Sequence, residues 1–306
     1  MNFLITLTAV ASMLFYAIPG YIFIKTKLID KSAIPAFAMV LMYMCQPGLT
    51  VYSFSKVTYS RDFTLLMLLF FAVSFLYQLI ILLLANFIIT RFSKEISKRI
   101  LAVGMCFGNC GFLGVPLLEA LLPENPEAVA LSAVFVTGMN ILGWTIACYI
   151  ITGDRKFISL KKVFINPTML SFIVVLPVYF FGITLPDEIM NIVTILAKMT
   201  TPLCMVIMGM RLATMPVKEL FTEKTVYLTV AVKQLLFPLG ALLIVSFLPL
   251  EPYVKKTLYI LCATPVASIT LNFAEMYNAG QKTAAKLVLF GTGISILTIP
   301  LMMLLV

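Results

Sequence analysis

Long apolar runs separated by short polar stretches dominate this chain. Ten runs of about 20 residues, the length a helix needs to cross a bilayer, can be placed at 3–24, 32–54, 63–89, 98–122, 127–152, 166–184, 188–213, 224–248, 254–278 and 284–305, here spans 1 to 10. The pattern predicts an all-α integral membrane protein with no soluble domain. One stretch interrupts it. In Cys106–Pro123, CFGNCGFLGVPLLEALLP, the residues Gly108, Asn109, Gly111, Gly114 and Pro116 fall where span 4 should be uniform. An unsatisfied polar group at that depth costs several kcal/mol, so the interruption requires a purpose.

The two halves of the chain repeat. FVTGMNIL at Phe135–Leu142 returns as FGTGISIL at Phe290–Leu297, 155 residues later, and Pro47 in span 2 returns as Pro202 in span 7 at the same offset. Gln78 and Gln234 are 156 apart, and the basic pairs Lys98–Arg99 and Lys255–Lys256 are 157 apart. Each repeat, 1–153 and 154–306, holds five spans, an odd number, so the second is expected to sit inverted in the membrane. Inverted repeats are an architecture of secondary transporters.

Charge sorts by side. Loops after spans 1, 3, 5, 7 and 9 hold 16 of the 22 basic residues, while the even loops hold Lys56, Arg61, Lys255 and Lys256. The positive-inside rule then places both termini outside a plasma membrane and the odd loops in the cytoplasm. The net charge of +9 follows from this bias. Its partner is the anionic lipid surface, and no nucleic acid is required.

Composition narrows the chemistry. The chain is 61% hydrophobic and 11% charged, has a mean hydropathy of +1.06, and lacks histidine. Asp30, Asp62, Asp154 and Asp187 fall in polar loops, so neither a His triad nor a buried carboxylate dyad is expected. The six cysteines lie in apolar segments without soft-ligand partners, which suits core packing. Walker, Rossmann and zinc motifs are absent, so no enzyme activity, cofactor or metal is expected. The first run lacks a basic n-region and is expected to persist as a helix.

Under the repeat offset Gly108 corresponds to Pro265 in span 9. Both spans are therefore expected to break near their centres, with Gly108, Gly111, Pro116, Pro202 and Pro265 as breaks or hinges. A broken helix exposes the N–H groups and partial positive charge at the start of its second half. Two such ends at the midplane suit an anion. Gly108, Asn109, Gly111, Pro265 and Val266 are the candidate contacts there, with Asn140 from span 5 and Pro47 and Val51 from span 2 as further walls.

The segment GNCGFLGVPLLEALLP also resembles a signature of the auxin efflux carrier family, which includes plant PIN carriers and bacterial permeases of organic acids. That pattern reads approximately Pro-Asn-Thr-x-x-x-Gly-x-Pro-Leu-Leu, and Asn109, Gly114, Pro116, Leu117 and Leu118 fall on it. Pro265, EMYN at Glu275–Asn278, FGTGISILTIPL from Phe290, NPTML at Asn166–Leu170 and TTPL at Thr200–Leu203 extend the similarity along the chain. Plant members have proline where this chain has Gly108, and many have a long central loop that is missing here, so the chain is similar to the compact bacterial branch. The resemblance implies a fold like that of bile-acid symporters and sodium–proton antiporters, in which spans 4 and 9 cross at their breaks. Spans 3–5 and 8–10 would form a moving transport domain, and spans 1, 2, 6 and 7 a scaffold that offers a homodimer surface.

Three charged residues complete the candidate set. Lys198 and Lys233 fall well inside spans 7 and 8, where a charge is a functional hypothesis unless its stem snorkels to water. Lys198 is a candidate for drawing in a substrate carboxylate or for standing in place of a coupling cation; Lys233 is a candidate for charge compensation. Glu275, near the end of span 9, is a candidate proton carrier or a partner for Lys198. The expected function is secondary transport of small organic anions, carboxylates above all. A sodium- or proton-coupled carrier of another substrate class is the alternative.

Overall fold

The computed structural model describes residues 3–306, and among them the chain is helical almost throughout. Among the described residues, seven helices are long and apolar enough to cross a membrane: Phe3–Lys25, Lys31–Ser55, Arg61–Phe92, Glu127–Thr152, Asp187–Ala213, Lys224–Ser246 and Gln281–Leu305. Arg155–Ile165 and Pro167–Phe180, joined at a 42° bend, make an eighth. The other two predicted spans are each divided. Span 4 is Ile100–Cys106 followed by Cys110–Leu121, and span 9 is Pro252–Ala263 followed by Ser268–Met276. By length and composition the described residues thus hold seven such helices, or eight with the bent pair, against the ten spans expected.

Prolines shape several spans in one recurring way. Pro47, Pro116 and Pro238 each lie two residues after a wide π turn, at Leu41–Cys45, Cys110–Gly114 and Val232–Leu236. A proline ring clashes with the carbonyl four residues back, and widening the turn before it accommodates the ring without ending the helix. Three expected hinges differ from the structure. Asp187–Ala213 runs unbroken through Pro202, and Gly111 and Pro116 belong to the second half of span 4 rather than to its gap.

Packing follows small residues. A Cβ at Gly20 would stand 2.0 Å from the Val206 carbonyl oxygen, and one at Gly209 would stand 1.8 Å from that of Ala17. Only glycine lets spans 1 and 7 approach so closely, the usual device for helix contact in lipid. Span 7 also packs on span 2, and span 2 on span 6; span 3 packs on spans 4 and 5, and span 8 on span 9. Burial ranks the helices: 78% of the apolar window of span 5 is buried, against 17% for span 1. Span 5 is therefore central, and span 1 turns most of its apolar surface outward.

Candidate functional site

The two breaks meet. Gly108 and Val266 pair as an antiparallel bridge. The Asn109 N–H donates to the Pro265 carbonyl at 2.8 Å and the Ala267 N–H to the Phe107 carbonyl at 3.0 Å. This short ladder satisfies backbone groups that would otherwise be orphaned in an apolar interior. Gly108 is required by space rather than by backbone angle. A Cβ there would meet Thr264 Oγ1 at 2.5 Å, Lys233 Nζ at 3.0 Å and Cys110 Sγ at 3.1 Å.

Beyond the ladder, both second halves begin at one cavity of about 980 Å³ including its open mouth. Cys110, Gly111 and Phe112 open the second half of span 4, and Ser268 and Ile269 that of span 9; all five line it. The first N–H groups of a helix have no acceptor within it, so two sets of donors and two positive dipole ends border the same space. Asparagine amides add to them. Asn109 and Asn272 line the cavity, and the acceptors their Nδ2 groups reach are the sulfurs of Cys204 at 4.0 Å and Met42 at 3.9 Å. Sulfur accepts weakly, so both amides keep donor capacity for a better partner. Leu41, Val136, Met139, Ile207, Met208 and Phe273 make much of the remaining wall apolar.

Lys233 lies behind this surface, fully buried. Its Nζ donates to the carbonyls of Cys262 at 2.7 Å and Thr264 at 2.9 Å, and stands 4.6 Å from the centre of the Phe237 ring. Those carbonyls belong to the end of the first half of span 9, where the helix dipole is negative and C=O groups lack partners. A lysine from span 8 thus caps the broken end of span 9.

The other predicted residues separate into groups. Gly108, Asn109, Gly111 and Asn140 line the cavity, and Asn140 donates from Nδ2 to its own helix at Val136 O, 2.9 Å away. Pro265 and Val266 are buried behind it as part of the ladder. Pro47 and Val51 do not line it; Gln46, beside Pro47, does. Lys198 is exposed and borders a different cavity, with Tyr16, Tyr52, Glu119 and Pro202. Glu275 pairs not with Lys198 but with Arg211, whose guanidinium donates to both carboxylate oxygens. Arg211, Trp144 and Asn272 are cavity residues that sequence reasoning missed. The two glutamines of the repeat differ as well: Gln234 ties span 8 to span 10 through Gly291 O and Thr298, whereas Gln78 donates to Ser74 O within span 3.

No curated protein matches the sequence significantly. A family model described as membrane transport protein matches the chain over residues 5–159 and again over 154–303, together nearly its whole length. The motifs around Asn109 and Pro265 and this match agree: the chain belongs to the membrane transport protein family of auxin efflux carriers.

Proposed function

We propose that the protein is a secondary carrier of small organic anions, carboxylates in particular, working by alternating access across the plasma membrane. The observation that carries this reading is the convergence of two helix N-termini and the under-used amides of Asn109 and Asn272 on one cavity at the crossover. Such a site stabilises negative charge without a buried counter-ion. In this reading spans 3–5 and 8–10 move against a scaffold of spans 1, 2, 6 and 7, which also supplies a homodimer surface. The end of the molecule bearing the basic loops faces the cytoplasm, and both termini lie outside.

The alternative, a sodium- or proton-coupled carrier, needs ligands for the coupling cation near the substrate. At the crossover, the carbonyls of Cys262 and Thr264 are engaged by Lys233, and the described residues lining the cavity include no carboxylate. This favours transport without a bound metal cation. The test is charge movement in liposomes carrying the purified protein, with malate, malonate, lactate and indole-3-acetate applied with and without sodium and a pH gradient. A sodium- and pH-independent current for at least one anion is expected. A current that requires sodium or protons would move the reading to the coupled carrier, and silence for every anion would overturn the substrate class.

A further inference from the structure

We infer that Arg211 is the anchor for the substrate's carboxylate at the mouth of the crossover cavity, and that Glu275 occupies its guanidinium in the absence of substrate. The inference rests on the organic-anion reading above and names a residue that decides its specificity. Among the described residues lining the cavity, Arg211 is the one that carries a full charge. It sits seven residues after Cys204, the neighbour of Asn109, on the same unbroken helix. Two turns place it about 10 Å along the axis from the crossover. The wall between holds Ile207 and Met208, so a carboxylate reaching Arg211 has its apolar body beside these side chains and its other end toward the crossover amides.

The ion pair has the form of an exchangeable one. Arg211 is 13% exposed, but Glu275 is 45% exposed, so the carboxylate can leave to water while the guanidinium stays in the wall. The guanidinium holds both oxygens of Glu275, the forked geometry by which arginine takes any carboxylate. A substrate carboxylate therefore replaces like with like. Nearby, Trp144 lines the same cavity at 9% exposure, and its indole N–H has no acceptor among the described residues. Lys162 stands 5.6 Å from the centre of the Trp144 ring and 5.7 Å from that of Tyr277, adding positive potential at this mouth.

The repeat supplies an independent support. Arg211 lies nine residues after Pro202, and Lys56 nine after Pro47; Glu275 lies ten after Pro265, and Glu119 eleven after its counterpart Gly108. Each half therefore carries a cation at or just beyond the end of the span that holds its proline, and a carboxylate beyond its break. In the first half the two do not join directly. Lys56 Nζ stands 4.4 Å from the Tyr52 ring centre, and the Tyr52 hydroxyl donates to Glu119 at 2.7 Å.

The test is equilibrium binding of indole-3-acetate, benzoate and malate to the purified full chain in detergent, comparing wild type with Arg211→Gln, Arg211→Lys and Glu275→Gln. Arg211→Gln removes the anchor and leaves Glu275 to repel the anion, so affinity should fall about tenfold or more. Glu275→Gln removes the competitor, so affinity should exceed that of wild type. Arg211→Lys keeps the charge without the fork and should fall between. Both glutamine variants abolish the same ion pair, so a merely structural tie would move them in the same direction. Binding by wild type with both variants weakened alike, or neither changed, leaves the anion reading standing and overturns this inference. Failure of all three anions to bind wild type removes the anion reading and this inference with it. If Arg211→Gln does not fold, Glu275→Gln alone decides by its sign.

Discussion

Spans 4 and 9 break at equivalent points of the sequence repeat, yet the two gaps are built from opposite materials. In span 4 the gap is made by a residue with no side chain and one with an amide, Gly108 and Asn109, and the amide faces the cavity. In span 9 it is made by Pro265, which lacks an N–H, and the freed carbonyls on either side of Ala263 are taken by Lys233 from behind. One break is thus open toward the substrate side and the other is secured from the protein side. The missing side chain of Gly108 also leaves the room in which Thr264 and the Lys233 ammonium sit. The lesson is that a repeated sequence constrains where the backbone breaks, not which groups stabilise the break.

The comparison breaks most severely at Lys233. Lys233→Met keeps the length of the stem but leaves the Cys262 and Thr264 carbonyls without their donor. Each buried unsatisfied group costs about 1–3 kcal/mol, so thermal unfolding of the purified protein should show a loss of roughly 2–6 kcal/mol. A loss within error would mean that span 9 does not depend on this cap. Asn109→Ala attacks the opposite break from the cavity side. Its backbone N–H still pairs with Pro265, so the fold should persist while anion affinity falls about tenfold or more, as expected when a hydrogen bond to a charged ligand is lost.

Gly108→Ala probes the place where the two breaks touch. Its Cβ would enter the space of Thr264 Oγ1, and overpacking of this kind costs about 1–3 kcal/mol. Thr264→Ala should recover part of that loss in a double-mutant cycle; strict additivity would show that the clash is not with Thr264. The smallest effect is expected at Lys198. It lies outside the crossover cavity, so Lys198→Ala should leave anion affinity within about twofold, a change inside the usual range for exposed positions. A tenfold loss would bring that lysine back to the substrate.

These positions also mark what the sequence disclosed. The apolar runs gave the long helices within a few residues, because about 20 apolar residues have few alternatives in lipid. The breaks in spans 4 and 9 were legible because Gly-Asn and Pro are anomalous at that depth. Partners were not. The capping role of Lys233 depends on how span 8 lies against span 9, which no local pattern encodes. Lys198 and Arg211 show the same limit on one helix. Cys204, Ile207, Met208 and Arg211 recur at helical spacing on the face that lines the cavity, whereas Lys198, six residues before Cys204, points to another side. Arg211 also resembles an ordinary loop-side charge by its place at the end of span 7, and only its packing brings it into the cavity wall.

The most direct test of the crossover as an anion site is the binding of a transported carboxylate to the Asn109→Ala protein, with Lys198→Ala measured beside it under the same conditions. The account predicts folded protein in both cases, binding weakened about tenfold or more by the first substitution and scarcely altered by the second. Wild-type affinity in Asn109→Ala, or an equal loss in both variants, would contradict it.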